Sequence, residues 1–308
     1  MTVSAAPLDM ALREPEMGQT RRWRRQGSTP KARGLAAVTV LYLLWSLLPV
    51  GIAVLFSFNS GRSRSVWQGF SLRWYTWDPV GSVLNDPSLS SALIHTIELA
   101  VLATIVTVPL GVTFALALDR WHGRIPSGAN FAVLMSFVIP EIALAIGLLF
   151  MITLLATPFT LGTTAQVVGL ITFQLSYPVV IVRARLLTIG KQYEEAARDL
   201  GATALGAVRR ALMPMLYPAI LVSAILVFAD VLDNFVLVRY LSSDASTETT
   251  SMRIYSTARA APTPALNALA TLVLVASLTV ILVGWLAYRR WGKNEGEDAS
   301  LGAFAGNF

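Results

Sequence analysis

The sequence contains no cysteine, only two histidines and few charged residues. Of its 308 residues, 14% are Asp, Glu, Lys or Arg, whereas 55% are hydrophobic. The absence of cysteine excludes disulfides, thiolate metal ligands and cysteine nucleophiles. The two histidines, His95 and His122, offer little for a metal centre or for imidazole catalysis. The sequence therefore predicts no catalytic residues, no metal site and no cofactor held by this chain.

The scarcity of charge also excludes an ordinary water-soluble domain. Such domains contain about 25% charged residues, and this chain has a mean hydropathy of +0.60. Too few polar side chains remain to cover a core of this size, so most of the chain is predicted to lie in a lipid bilayer. The net charge of +6 fits basic loops of a membrane protein, and no nucleic-acid partner is expected.

Six stretches have the roughly 20 apolar residues that cross a bilayer as a helix. They lie at residues 35–58, 92–118, 130–155, 165–187, 216–240 and 265–288. The fourth contains Gln174 and the pair Tyr177-Pro178, which predict a kink. The first follows a leader of residues 1–34 and is interpreted as an anchor rather than a cleaved signal.

The distribution of basic residues predicts the orientation. With the N-terminus inside, 18 of the 24 Lys and Arg residues lie on the inner side and six on the outer side, so both termini are expected in the cytoplasm. This gives a basic tail (1–34, with Arg21–Arg25 as an orientation signal), a six-span domain (35–290) and a C-terminal tail (291–308). The outer loop 59–90 carries Trp67, Trp74, Tyr75 and Trp77, which suit either an interfacial helix or the docking of an external partner.

Residues 188–215, called the hairpin below, differ from the rest of the chain because charges are interspersed among Ala and Gly. The pattern predicts a helix over Glu194–Leu200, a stop at Gly201, and a second helix over Ala202–Leu212 before Pro214. The simplest alternative is a solvated hairpin held by an internal Glu194–Arg198 pair.

The hairpin resembles the EAA loop of ATP-binding cassette (ABC) importer permeases. That motif reads EAA, three residues, G, nine residues, I, any residue, L, P, and this chain matches five of its seven fixed positions, with Ala211 and Met213 in place of Ile and Leu. The resemblance implies an all-α, polytopic membrane protein with six transmembrane helices and type I (MetI-like) architecture. It assigns contact with a cytoplasmic ATPase to Glu194, Glu195, Ala196, Ala197, Asp199, Gly201 and Pro214.

The same resemblance implies a set of partners. These are a homologous second permease, two ABC ATPase subunits, an extracytoplasmic substrate-binding protein and the lipid bilayer of the inner membrane. The chain contains no G-x-x-x-x-G-K-[ST] motif, since Arg185 and Gln192 occupy required Gly and Ser/Thr positions around Gly190-Lys191. ATP-Mg is therefore expected on the partner ATPases.

Four acidic residues fall within or beside the predicted spans: Glu98, Glu141, Asp230 and Asp233. A carboxylate near the centre of a bilayer costs about 2.5 kcal/mol or more, so each should face the interior, pair, or lie near an interface. Asp230 and Asp233 share one helix face, with Asn234 beside them. Together with Glu141 and Tyr177 they are predicted to line the path of a cation, and a structural pairing or capping role stays open.

The C-terminal third is similar to the spermidine/putrescine permeases of the PotC type. The similarity rests on residues 226–236, 254–256 and 263–272, and residues 69–75 also fit. It implies polyamine import, although Asp233-Asn234 stands where two adjacent acids are common. The alternatives are an importer of another small cationic or zwitterionic solute, a gradient-driven secondary transporter using Asp230 and Asp233, or a gated pore.

Overall fold

The computed structural model describes residues 30–63, 65–121, 124–154, 160–260 and 263–292. The basic residues Arg21–Arg25, His122 and the tail beyond residue 292 lie outside the described residues. Within the described ranges the chain forms helices and turns, with one isolated β-bridge between Asn59 and Phe70. The predicted all-α class is therefore confirmed.

The α-helices are numbered here in chain order. They are α1 (Pro30–Ser57), α2 (Pro87–Arg120), α3 (Arg124–Val138), α4 (Glu141–Leu154), α5 (Thr163–Gln174), α6 (Ser176–Ile189), α7 (Gln192–Asp199), α8 (Ala204–Ala207), α9 (Met213–Asp233), α10 (Val236–Leu241), α11 (Thr250–Ala260) and α12 (Pro264–Gly292). Two π-helical turns lie at Arg73–Trp77 and Val208–Leu212, and a 3-10 turn lies at Ala245–Thr247.

Five helical segments of the described chain are long and apolar enough to cross a membrane, and the bent pair α3–α4 makes a sixth if it counts as one span. The prediction of a single helix over 130–155 is wrong, because α3 and α4 meet at an angle of 110°. Pro140 explains the bend: it has no N–H to donate, and it disfavours helical geometry at Ile139.

The predicted fourth span forms one helix, Thr163–Ile189, in which the single turn residue Leu175 separates α5 from α6. The kink at Tyr177-Pro178 stays a prediction. The predicted helix over 216–240 breaks at Asn234 and Phe235, between α9 and α10. This break leaves backbone groups without helical partners, and it places polar residues within an apolar segment.

The chain divides into two compact units, residues 1–51 and 52–308, with the boundary inside α1. The described part of the first unit is helical, and its apolar side chains, such as Leu41, Trp45 and Leu48, are exposed. An apolar helix with this exposure suits a lipid environment, because every backbone hydrogen bond is made within the helix.

The core of the second unit is built on α2, α6 and α9, which pack against one another. Leu99, Val182 and Val227 are among its buried residues. The helices α4, α5 and α10 pack beside them. Gly111 of α2 permits a close approach to α6, since a Cβ there would lie 2.3 Å from Cγ of Pro178.

A buried amide network fixes the first half of α2 to neighbouring segments. Gln166 is fully buried, and its Nε2 donates to the carbonyl oxygens of Val238 (3.0 Å) and Thr247 (2.9 Å). Its Oε1 is therefore an acceptor, and Nε2 of His95 lies 2.9 Å away as the donor. One side chain of α5 thus connects α2, α10 and the turn before α11.

The loop after α1 is more ordered than an interfacial anchor. Its predicted short helix is present as the π-helical turn Arg73–Trp77, but Trp74 is only 3% exposed and its Nε1 donates to the carbonyl of Asn59 at 2.7 Å. Asp78 ends this turn and accepts hydrogen bonds from the backbone of Gly81 and from Nε of Arg73, each at 2.8 Å. These contacts hold the pKa of Asp78 below its ordinary value.

The Asp78 contacts predict an acid-sensitive loop. Because the folded-state pKa lies below the unfolded value of about 3.9, the stabilisation is present above that pH and is lost as the pH falls through the folded-state value. Asp78→Asn should lower the melting temperature at pH 7 and reduce the difference between pH 7 and pH 3. Thermal unfolding in detergent measures the melting temperature at each pH. Glu98 is an exposed acid, so Glu98→Gln should change neither the melting temperature at pH 7 nor its difference from pH 3.

The packing of α2 on α6 predicts that Gly111→Ala destabilises the core. The added methyl group would overlap the ring of Pro178 and lie 3.4 Å from the amide nitrogen of Val179, so the two helices must separate. Overpacking of this kind costs about 1–3 kcal/mol, measurable as a lower melting temperature. Gly147→Ala is the matched control, because nothing lies within 4 Å of a Cβ at that helical glycine. Equal melting temperatures for the two variants would contradict the packing.

Candidate functional site

Two groups of predicted site residues lie in different parts of the fold. The first is the hairpin between α6 and α9. The second is a polar cluster, Glu141, Gln174, Asp230 and Asn234, which lies at the junctions between α3 and α4, α5 and α6, and α9 and α10.

The end of α7 is formed as the sequence predicts. Gly201 has φ +86°, a left-handed conformation that glycine adopts without penalty. Its N–H donates to the carbonyl of Arg198 at 2.8 Å, and the N–H of Ala202 donates to that of Ala197 at 3.0 Å. These two bonds form a Schellman motif, which satisfies carbonyls at the helix end.

The second half of the hairpin is shorter than predicted. The Oγ1 of Thr203 accepts the N–H of Gly206 at 3.2 Å and so caps α8, which begins at Ala204 rather than Ala202. A π-helical turn then leads directly into α9, and Pro214 lies in the first turn of that helix. Ala204–Asp233 thus runs on as one helix, and the predicted end of the second helix before Pro214 is wrong. The π-helical turn, in which the N–H of Met213 donates to the carbonyl of Val208, changes the hydrogen-bond pattern just before the proline.

The hairpin presents an exposed surface. No residue of α7 is buried, and Glu195, Ala196 and Asp199 are exposed while Ala197 is half-buried. Leu200 is 90% exposed and Leu205 is 76% exposed. The sequence interpretation missed these two leucines, although an apolar residue beside a glycine stop in a polar loop was a usable signal. Small side chains flanked by exposed leucines and charges form a surface suited to docking another protein.

Glu194 differs from its neighbours because it points to another helix. Its Oε1 lies 2.5 Å from Nη2 of Arg120, the last residue of α2. This partner was not predicted, and the alternative Glu194–Arg198 pair is not the arrangement found. The hairpin is therefore attached by an ion pair to the end of α2.

In the polar cluster, two carboxylates are each paired with an amide. The Nδ2 of Asn234 donates to Oε1 of Glu141 at 2.5 Å, and Nε2 of Gln174 donates to the carboxylate of Asp230. Gln174 was predicted only to weaken the fourth span, so its role here was missed. Its signal was a lone amide in an apolar stretch, since such a group needs a partner.

The predicted path residues are only partly brought together. Glu141 contacts Asn234, and Asp230 contacts Gln174, whereas Asp233 is exposed at the last residue of α9. Glu98 lies apart: its side chain is 54% exposed and its Oε2 is 3.8 Å from Nδ1 of His95.

Beside this cluster is a cavity of about 240 Å³. The ring of Tyr177 meets the ring of Phe137 edge-on, with centroids 5.5 Å apart. The cavity is lined by Ser136, Phe137, Ile139, Glu141, Phe173, Ser176 and Tyr177. One carboxylate among aromatic rings and three hydroxyl groups is a setting suited to a cation with an apolar body.

The cluster also has unused acceptors. The Oε1 of Gln174 and the Oδ1 of Asn234 are buried and have no hydrogen-bond partner within the described residues. Each amide gives one of its two N–H groups to a carboxylate, and its oxygen can only accept. An arriving donor would therefore meet acceptors throughout the cluster.

Comparisons with known proteins identify relatives by sequence. The family model for the inner membrane component of binding-protein-dependent transport systems matches residues 107–292. The spermidine/putrescine transport system permease protein PotC of Shigella flexneri is 33% identical over 264 residues, covering 85% of this chain and 96% of that protein. The putrescine transport system permease protein PotI of Escherichia coli K12 is 32% identical over 277 residues, and the match covers 87% of this chain and 96% of PotI.

Solved structures share the fold. A chain of a bacterial ABC transporter involved in the import of the acidic polysaccharide alginate gives a TM-score of 0.69 at 15% identity, covering 84% of this chain and 94% of that chain. A chain of the MetNI methionine ABC transporter in an inward-facing conformation gives a TM-score of 0.51 at 20% identity. The match covers 66% of this chain and 93% of that chain. At these identities the likeness concerns architecture alone.

The Schellman motif predicts that Gly201→Ala loosens the end of α7. A Cβ there would meet nothing within 4 Å, so the cost is that of the left-handed backbone, about 1–2 kcal/mol. Amide hydrogen exchange of residues 197–202 should be about 5-fold faster or more, measured by mass spectrometry. The exchange rate in Gly201→Asn should lie between the rates of the unmodified chain and of Gly201→Ala, because asparagine tolerates this conformation. Unchanged exchange in the alanine variant would contradict the assignment.

Proposed function

Because the chain belongs to the family of binding-protein-dependent transport system inner membrane components, and is thus a permease subunit of an ABC importer, we propose that it carries polyamines. The named relatives support spermidine or putrescine as the cargo. The fold alone does not decide the cargo, since a transporter of acidic alginate has the same architecture.

The observation that carries this proposal is the acceptor-rich polar cluster at the helix breaks. Glu141 and Asp230 each accept from a single amide donor, from Asn234 and Gln174 respectively. A carboxylate has about four acceptor positions, so most of their capacity is unused. An ammonium group brings three donors and a full charge, and it matches the cluster better than an anion or a neutral sugar.

The end of α9 adds to this preference. Asp233 lies at the last residue of α9, where the partial negative charge of the helix end makes a further carboxylate unfavourable. A cation there is favoured by the carbonyls, by Asp233 and by Asp230. Broken membrane helices whose carbonyl ends face a path use the same electrostatics to hold cations.

The cavity suits the carbon chain of a polyamine as well as its charge. Spermidine and putrescine are amines joined by short methylene segments, so charged and apolar contacts must alternate along the molecule. Glu141 lies next to the rings of Phe137, Phe173 and Tyr177 in the cavity wall. Methylene groups can pack on these rings while an ammonium lies over a ring face or against the carboxylate.

The complete importer is proposed to contain several other chains. A second, homologous permease would supply the other side of the path, and two ABC ATPases would bind ATP-Mg. The exposed helix α7, with Glu195, Ala196, Ala197 and Asp199, would dock on one ATPase, while Gly201 and Pro214 shape the ends of the hairpin. A substrate-binding protein would dock near residues 59–90 and 241–264 on the opposite side.

The proposed location is a bacterial cytoplasmic membrane with both termini in the cytoplasm. The excess of Lys and Arg on the hairpin side supports this orientation. The division of the chain into a basic tail (1–34), a membrane domain (35–290) and a C-terminal tail (291–308) is part of the same proposal.

A second candidate cargo is another small cationic or zwitterionic solute. Asn234 favours it, because this amide stands where the PotC-type pattern commonly has a second acid, which lowers the negative charge beside Glu141. Competition by an amino acid or a monoamine, but not by spermidine, would select this candidate.

Uptake of labelled spermidine by cells that contain the whole transporter tests the proposal. Glu141→Gln should lower uptake about 10-fold or more, because a hydrogen bond to a charged group is replaced by a neutral one. Expression in the membrane should remain equal, since Asn234 can still bond to the new amide. Glu98→Gln is the matched control and should retain uptake. Full uptake in the Glu141 variant would contradict the path, and no uptake by the unmodified transporter would contradict the cargo.

A further inference from the structure

Both ends of α2 are attached by side chains to segments that the proposed function gives to different partners. Near its start, Oγ of Ser88 accepts from Nη2 of Arg253 at 2.5 Å, and Oγ1 of Thr96 accepts from the N–H of Thr250 at 2.8 Å. At its last residue, Arg120 pairs with Glu194. One helix thus connects α11 with α7.

The helix between these contacts is long and continuous. It has 34 residues, which corresponds to a length of about 50 Å, and Pro109 lies within it without ending it. Along this length it packs on α9, α6 and α5. A displacement of one end along the helix axis must therefore reach the other end, because the hydrogen-bonded backbone resists compression.

The ion pair is a side-chain contact that joins α7 to this helix. The side chain of Glu194 is 15% exposed and that of Arg120 is 37% exposed, so the pair is partly shielded from solvent and screened less than a fully exposed pair. No residue of α7 is buried, and α7 packs on α8 and on the π-helical turn Val208–Leu212. A guanidinium–carboxylate contact is directional, which suits it to fixing the position of one helix end against another.

We propose that Arg120 and Glu194 are positioning residues that form a link, called the α2–α7 link, between the ATPase-docking helix and the outer segments of the permease. ATP-driven movement of α7 passes through the link to α2, and then through Ser88 and Thr96 to α11. The inference rests on the proposed function in that α7 docks on an ATPase, but it does not depend on the cargo.

The covalent connections of α7 do not replace the link. Residues Gly190 and Lys191 join α7 to α6, and the second half of the hairpin joins it to α9. These connections move the other two helices of the core. The link adds the third core helix, and by thermodynamic reciprocity it also lets a partner docked on residues 241–264 alter the affinity of the ATPases for ATP.

Charge exchange in the assembled transporter tests the link. The variants are Arg120→Glu, Glu194→Arg, the exchanged pair carrying both, and the milder Arg120→Gln in case a reversal prevents assembly. Arg290→Glu, a reversal at the exposed end of α12, is the matched control. Co-purification of the ATPase subunits and basal ATP hydrolysis measure assembly.

The principal measurement is independent of cargo. Because the natural chain has no cysteine, Ser243→Cys places a single thiol on the exposed turn before α11. Its alkylation rate is measured by mass spectrometry without nucleotide and with ATP and vanadate. We expect the rate to change about 5-fold or more in the otherwise unmodified chain, less than about 2-fold in each single variant, and again about 5-fold in the exchanged pair.

Three results would overturn the link. The first is that ATP and vanadate change the alkylation rate in the single variants as much as in the otherwise unmodified chain. The second is that they do not change this rate in the otherwise unmodified chain. The third is that the exchanged pair responds no more than its less responsive single variant. The last would show that Glu194 acts on the ATPase directly. Spermidine uptake in the same vesicles separates the two proposals: a nucleotide response without spermidine uptake contradicts the cargo but supports the link.

Discussion

Polar groups in an apolar helix must find hydrogen-bond partners inside the protein, and the architecture depends on how they do so. Gln166 is fully buried and uses its whole amide to hold α10, the turn before α11 and His95. Gln174 and Asn234 each give a donor to a carboxylate. An unpaired acid or amide at these positions would cost several times more than a surface hydrogen bond contributes. The amides therefore lower the cost of burying the two acids, and their oxygens are left without partners among the described residues.

The sequence predicts well those features that depend on neighbouring residues. The apolar stretches, the soluble hairpin and the stop at Gly201 follow from local composition and from the conformational freedom of glycine. It predicts poorly what depends on distant partners. Glu141 and Asn234 are 93 residues apart, and Arg120 and Glu194 are 74 apart, so no local pattern reveals either contact. The 110° bend before α4 was missed for a related reason, because a proline within an apolar stretch fixes neither the size nor the direction of a bend.

The architecture of this chain is shared with transporters of unlike cargo. The same architecture is present in transporters whose names refer to alginate and to methionine, which differ from polyamines in charge and shape. Architecture alone therefore does not determine which solute a transporter of this fold carries.

The hydrogen bond between Glu141 and Asn234 has a mechanical consequence. Glu141 is the first residue after the bend between α3 and α4, and Asn234 ends α9 at the break before α10. Two hinges are thus fastened to each other at their pivots, and Ser251 of α11 adds a third attachment through the carbonyl of Asn234. Neither break is able to change its angle alone while the bond persists, so the two breaks should bend in concert.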